Sequence, residues 1–183
     1  MPAKLPLAVD LDGTLINTDL FTRAMLRFFG AAPWNVFVML AWLTRGRAYA
    51  KQRLTLLYPV DAAALPYNAP FVVWLREERA AGRVIALATA FDQRGADAVA
   101  AHLGVFDHVF ASDGRTNLKS AKKADRLRRA FPRGFVYAGN ERADLKVWAT
   151  AKAAIIVNAS PALECEAARR FEVERVFPRD ERA

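Results

Sequence analysis

The apolar run Leu5 to Val9 ends in two carboxylates spaced by one residue, Asp10-Leu11-Asp12, followed by Gly13, Thr14 and Leu15. In an extended strand residues i and i+2 point to the same side, so Asp10 and Asp12 project together from the strand tip. Two like charges that close repel each other, and burial raises the cost. A hard divalent cation such as Mg²⁺ offsets that cost through oxygen ligation. One carboxylate is then free to act as a nucleophile and the other as a proton shuttle. Gly13 permits a sharp exit from the strand, and Thr14 offers a hydroxyl to orient a carboxylate. Asp and Gly also build ordinary turns. The apolar strand in front and Thr14 behind fit a site better than a surface turn.

The chain has 183 residues, which suits one domain with a small insertion, and its 54% hydrophobic content is ample for a core. Its net charge of +8 favours anionic partners: phosphorylated substrates, acidic membranes or nucleic acid. Cys165 is the only cysteine, which excludes an intramolecular disulfide. No signal-peptide pattern precedes Asp10 and no stretch approaches the ~20 apolar residues of a spanning helix. The expectation is a cytoplasmic protein, soluble or peripheral at the inner face of the membrane.

Apolar runs at Leu5–Val9, Val84–Ala88, His108–Ala111, Phe135–Ala138 and Ala154–Val157 read as strands, with a last one over Phe171–Phe177. Helical patterns near Phe71–Ala81, Asp92–Leu103, Lys119–Phe131 and Arg142–Ala151 separate them. That alternation predicts an α/β fold, a Rossmann-like parallel sheet with helices on both faces. Ligands in such sheets bind beyond the carboxyl ends of the strands. Asp10, Thr89, Ser112 and Asn140 all fall at or just after a predicted strand end. Residues 17–68 hold helical pattern and no convincing strand, so they read as two or three helices inserted into a core made of 1–16 and 69–183.

The hexapeptide Asp10–Leu15 resembles motif I of the haloacid dehalogenase (HAD) superfamily of phosphohydrolases. Three further motifs of that superfamily have counterparts here, in order. Ala86-Leu87-Ala88-Thr89-Ala90 resembles motif II, with Thr89 and Ala90 for phosphate oxygens. Lys119 in Asn117-Leu118-Lys119-Ser120 is the motif III lysine on this reading, with Lys122 and Lys123 as competitors. Gly139-Asn140-Glu141-Arg142-Ala143-Asp144 resembles motif IV, except that Asn140 stands where the family has an Asp. Asn still ligates a hard cation through its amide oxygen but brings one less negative charge, and Glu141 is a compensating carboxylate.

The resemblance implies Mg²⁺-dependent phosphoryl transfer. Asp10 is the nucleophile that becomes an aspartyl-phosphate, and Asp12 is the acid and base. Thr89 and Lys119 hold phosphoryl oxygens with Gly13, Thr14 and Ala90. Asp10, Asp12, Asn140 and Asp144 form the metal site. A cap after motif I implies a small phosphorylated metabolite. The same scheme serves a phosphotransferase such as a phosphomutase.

Within the insertion, Ala31 to Leu43 has one polar side chain, Asn35, and includes Trp34, Phe37 and Trp42; Arg45, Arg47, Lys51 and Arg53 follow. Either this is a cap core helix with a basic end in solvent, or an interfacial element for a membrane or membrane protein. Leu65-Pro66-Tyr67-Asn68, Leu75 to Gly82, Ala111 to Lys119 and the tail Phe171–Pro178 are similar to the HAD domain fused ahead of UbiA-type prenyltransferases. This second resemblance implies the soluble domain alone, a substrate from isoprenoid or phospho-sugar chemistry, and a membrane prenyltransferase as partner. A catalytically weak docking or regulatory module is the rival reading.

His102 and His108 lack a nearby second His or Cys and read as packing or surface residues. Cys165 lies between Glu164 and Glu166, which disfavour a thiolate. Trp148 reads as core. Lys119–Arg133 carries seven basic residues against Asp125, but without interleaved aromatics it is not read as a nucleic-acid face.

Overall fold

The computed structural model describes residues 4–179. Six parallel strands form one sheet in the order β3-β2-β1-β4-β5-β6. They are β1 (Leu7–Val9), β2 (Ile85–Asp92), β3 (His108–Ser112), β4 (Val136–Gly139), β5 (Ala153–Val157) and β6 (Val173–Phe177). Strand side chains alternate between two cores. Leu7, Val9, Val136, Ala138, Ile155 and Val157 join one cluster with Phe71, Trp74 and Val99. Ala8, Tyr137, Ala154 and Ile156 join another with Leu127, Trp148 and Leu163. Both faces are therefore apolar, as a parallel sheet with helices on each side requires.

The helices start where the chain supplies caps. Asn68 caps α4 (Ala69–Ala80), Asp92 caps α5 (Gln93–Leu103) and Ser160 caps α8 (Pro161–Arg170), each side chain accepting a first-turn amide. The helix expected over Arg142–Ala151 is instead a 3-10 turn at Arg142–Asp144 followed by the single turn α7 (Leu145–Trp148). Asp144 is the reason: its side chain accepts the backbone amides of Asn140 and Glu141, which closes the chain tightly before a longer helix begins. β2 also differs. It runs on to Asp92, through a register irregularity against β3, instead of ending at Ala88.

Between β1 and β2 the chain forms α1 (Leu20–Ala31), α2 (Asn35–Thr44) and α3 (Arg47–Leu57), then a 3-10 turn at Ala62–Ala64. These helices share a small core of Ala24, Phe28, Met39, Ala50 and Leu54. Phe28 stacks on Trp42 at 5.0 Å between ring centroids. Among the described residues no helix is long and apolar enough to cross a membrane.

Candidate active site

β1 sits at the middle of the sheet, so its C-terminal end is flanked by those of β2 and β4. A cleft of about 850 Å³ opens there, between the sheet edge and the inserted helices. Asp10 continues β1, its amide donating to the Ala138 carbonyl at 3.0 Å. The chain then folds back at once. The amides of Leu15 and Ile16 both reach the Leu11 carbonyl, at 3.0 and 3.1 Å, and bury all three side chains. Gly13 makes this turn at φ +74°, and a Cβ there would lie 2.1 Å from the Asn140 amide nitrogen. Only glycine satisfies both demands.

The floor of the cleft is a continuous chain of charged and polar contacts. Lys123 Nζ donates to Asp10 Oδ1 at 2.8 Å and to the Tyr137 hydroxyl at 2.8 Å. The Tyr137 hydroxyl in turn donates to Asp144 Oδ1 at 2.8 Å. Asp144 Oδ2 accepts the Asn140 and Glu141 amides at 3.0 Å each. Thr14 Oγ1 donates to Asn140 Oδ1 at 3.2 Å, tying the first loop to the fourth strand.

This packing shifts proton affinities. Burial alone would lower Lys123, but the carboxylates of Asp10 and Asp144 outweigh it and hold the ammonium above its ordinary range. Burial and the neighbouring Asp10 push Asp144 up. Asp12 accepts the Leu20 amide at the start of α1 at 2.9 Å. Burial still raises its carboxyl to about 7, and Asp10 adds to the rise. A carboxyl poised there can both give and take a proton near neutrality.

Several predicted residues meet at this floor, and others do not. Asp10, Asp12, Gly13, Ala90, Asn140 and Asp144 all border the cleft, whereas Thr14 lies buried behind it. Lys119 borders it too, but is half exposed and pairs with Glu141 at 3.2 Å instead of with Asp10. The lysine on Asp10 is Lys123. Ser120, at φ 55°, kinks the chain so that α6 (Ala121–Ala130) starts two residues after Lys119 and carries Lys123 inward with Ala124 and Leu127. That buried stripe was the available signal, since a lone cation sharing a helix face with Ala124 and Leu127 points at the core.

Thr89 is a second correction. It is fully buried inside the extended β2, and its hydroxyl accepts the Phe91 amide at 3.0 Å instead of facing the cleft. Asp144 borders the cleft, its two oxygens engaged by the loop amides and the Tyr137 hydroxyl.

Sequence reasoning missed Lys51 and Asn158. Lys51 on α3 reaches across from the insertion to the Ala90 carbonyl at 2.8 Å. Burial lowers its ammonium, as do Lys119 and Lys123, against the pull of Asp12. Asn158, at φ 52° after β5, donates to the Gly13 carbonyl at 3.1 Å and to Asn17 Oδ1 at 2.9 Å, pinning the first loop from beneath. Neither carried a local sequence signal beyond its polar type. Of the set-aside residues, His102 stacks on Tyr67, His108 on Phe110, Cys165 is exposed, and Trp148 is buried.

Among the described residues no three His, Cys, Asp or Glu side chains form a closed cluster. The floor nevertheless presents hard oxygens suited to Mg²⁺: the Asp10 oxygen that Lys123 does not take, the Asn140 amide oxygen and the Asp12 carbonyl.

No family model matches the chain. It is 40% identical over 154 residues to the uncharacterized protein y4nM of Sinorhizobium fredii. That match covers 84% of this chain and 30% of the relative, so the chain spans about a third of that protein's length. A crystal structure of a protein of unknown function from Bordetella pertussis Tohama I superposes with a TM-score of 0.71 at 20% identity, covering 97% of this chain and 100% of that one. A substrate-bound phosphoserine phosphatase superposes at 0.67 and 16% identity, covering 100% and 97%. HAD family hydrolase t0658 of Salmonella enterica serovar Typhi gives 0.67 at 13% identity, covering 94% and 68%. The chain therefore has the Rossmann-like HAD fold.

Proposed function

We propose that this chain, folded as a HAD phosphatase is, hydrolyses a small phosphate monoester through a covalent intermediate on Asp10. The observation that carries this reading is the buried Asp10–Lys123 pair at the central strand's carboxyl end, open to a cleft under three inserted helices. An Asp10 oxygen attacks phosphorus and forms an aspartyl-phosphate as the bond to the leaving oxygen breaks. Asp12, whose carboxyl is raised to about 7, gives its proton to that oxygen. Asp12 then takes a proton from water, which attacks the same phosphorus and releases phosphate from Asp10. Lys123 neutralises Asp10 and the phosphoryl charge, so the groups present act by positioning and electrostatics. Asp10, Asn140 and the Asp12 carbonyl would hold Mg²⁺, which supplies charge neutralisation to the transferring phosphoryl group.

The cap supports a choice of leaving group. Phe21, Met25, Met39 and Leu43 make part of the cleft wall apolar, while Arg47, Lys51 and Lys119 bring cations to the same space. Asn117 Oδ1 is the one buried side-chain oxygen without a partner among the described residues, and Asn117 also borders the cleft. An amphiphilic alcohol with a hydrogen-bond donor suits these walls, as isoprenoid or phospho-sugar chemistry would supply.

The test is phosphate release from a panel of sugar, isoprenoid, amino-acid and chromogenic phosphate monoesters, with Mg²⁺ and with chelator, beside Asp10→Asn. Mg²⁺-dependent release, lost by at least about 10³-fold in the variant, is the expected result. Undiminished release in Asp10→Asn overturns the mechanism. Transfer to an added sugar in place of water makes the chain a phosphotransferase. Silence across the panel leaves the rival docking or regulatory module, in which Asn140 marks weakened metal binding.

A further inference from the structure

The inserted helices carry a pattern that the cleft does not use. Between Leu20 and Val60 the sequence has six Lys or Arg and no Asp or Glu, so these residues hold six of the chain's eight net positive charges. Within this segment α2, Asn35-Val-Phe-Val-Met-Leu-Ala-Trp-Leu-Thr44, is apolar at all but its two end positions. One stripe, Asn35, Met39 and Trp42, faces the small core of the insertion, Leu43 borders the cleft, and the remaining side chains are turned outward. Phe37 is 71% exposed, Trp34 68% and Leu40 56%, and Leu26 on the adjoining α1 is 69% exposed. Exposed arginines follow at positions 45 and 47, with another at Arg27. A helix apolar all round is ordinarily buried, and a large exposed apolar patch marks an interaction surface.

We propose that the outer face of α2 docks on an anionic lipid bilayer surface. Trp34, Phe37 and Leu40 enter the headgroup region, and Arg27 and Arg45, which lie outside the cleft, hold acidic headgroups. The occupant follows from chemistry on this face. The surface offers apolar area and positive charge, with no carboxylate, which is what an acidic bilayer complements. A second copy would bring its own arginines against these, with no carboxylate to answer them, and be repelled. At ten residues α2 is about 15 Å long, too short to span, so it lies in the interface plane. Trp34, Phe37 and Leu40 lie outside the cleft, so the proposal is independent of the proposed reaction.

The test is flotation of the full chain with phosphatidylcholine vesicles, with and without about 30% phosphatidylglycerol, at low and at about 0.5 M salt. The chain is expected to float with the anionic vesicles at low salt and to be released by salt. The double substitution Trp34→Ser, Phe37→Ser is expected to lower the bound fraction at least about tenfold. Each arginine changed to Gln lowers it about fivefold. The thermal transition is retained in every variant. Failure to float with anionic vesicles at low salt overturns the proposal. So does flotation unchanged in the double variant, or a concentration-dependent dimer that the same variant dissolves, which would assign the face to a second copy.

Discussion

At the N-terminal end of the sheet Arg83, its side chain 1% exposed, donates to Glu78 at 2.9 Å and to both oxygens of Glu174 at 2.6 and 3.0 Å. Lys4 closes the set with a 2.8 Å contact to Glu78, and Arg83 Nε takes the Leu5 carbonyl. At the other end Lys123, 4% exposed, holds one oxygen of Asp10 and a phenol. Each end buries a cation among carboxylates, with opposite results. Burial would raise Glu78, but its hydrogen bonds from Lys4 and Arg83 outweigh it and hold it below its usual range. Asp12 and Asp144 are pushed up instead. The first end is closed: two cations answer two carboxylates. The second has three carboxylates, Asp10, Asp12 and Asp144, two inward lysines, Lys123 and Lys51, and an open cleft. Charge left over where solvent and ligand can enter distinguishes a site from a staple.

Removing each buried cation tests that contrast most severely. Arg83→Met leaves Glu78 only the exposed Lys4 and takes the buried partner from Glu174, and is expected to cost about 3 kcal/mol of stability, read by denaturant unfolding, with turnover per folded molecule unchanged. Lys123→Met is expected to do the reverse. Its turnover falls about 10²–10³-fold, while stability falls less than in Arg83→Met because the cleft lets water reach Asp10. Lys119→Met, scored in the same assay, changes turnover by less than about tenfold. Equal losses from Lys119 and Lys123 would show that Lys123 is not the lysine on which Asp10 depends.

Asn140→Asp adds charge at the open end only. Mg²⁺ affinity measured by calorimetry is expected to rise about tenfold, and unchanged or weaker binding removes Asn140 from the metal shell. The smallest expected effect is on acid stability. Glu78 lies below its ordinary 4.5 and Asp107, which burial would raise but the Ile85 amide and Arg79 hold down, lies below its ordinary 3.8. Their stabilisation is therefore present above those ordinary values and is lost as pH falls through the depressed ones. Unfolding midpoints followed from about pH 6 to pH 3 should fall, with a shallower slope in Arg83→Met. An unchanged slope would separate Arg83 from the Glu78 shift.

Much of the core was legible because strands are written locally. The runs ending at Val9, Ala111 and Val157 announce themselves by apolar content, whereas α8 and its Ser160 cap were not read. Motif I was legible for the same reason, since its strand, acids and glycine are contiguous. β2 was read short because Thr89 after an apolar run resembles a strand end, whereas pairing with β3 carries the strand on to Asp92. Lys51 and Asn158 come from segments 41 and 148 residues beyond Asp10, and no local pattern marks contacts at that separation.

By itself the sequence determined the alternation of strand and helix, the placement of Asp10 and Asp12 at a strand tip, and a helical insertion behind them. Those features depend on neighbours a few residues away, through side-chain alternation and capping. Only the tertiary structure decided which lysine faces Asp10, which way Thr89 turns, and that α2 leaves Trp34 and Phe37 in the open. A helix's phase about its axis is set by the kink before it and the surface it packs on, and both of those are supplied by distant parts of the chain.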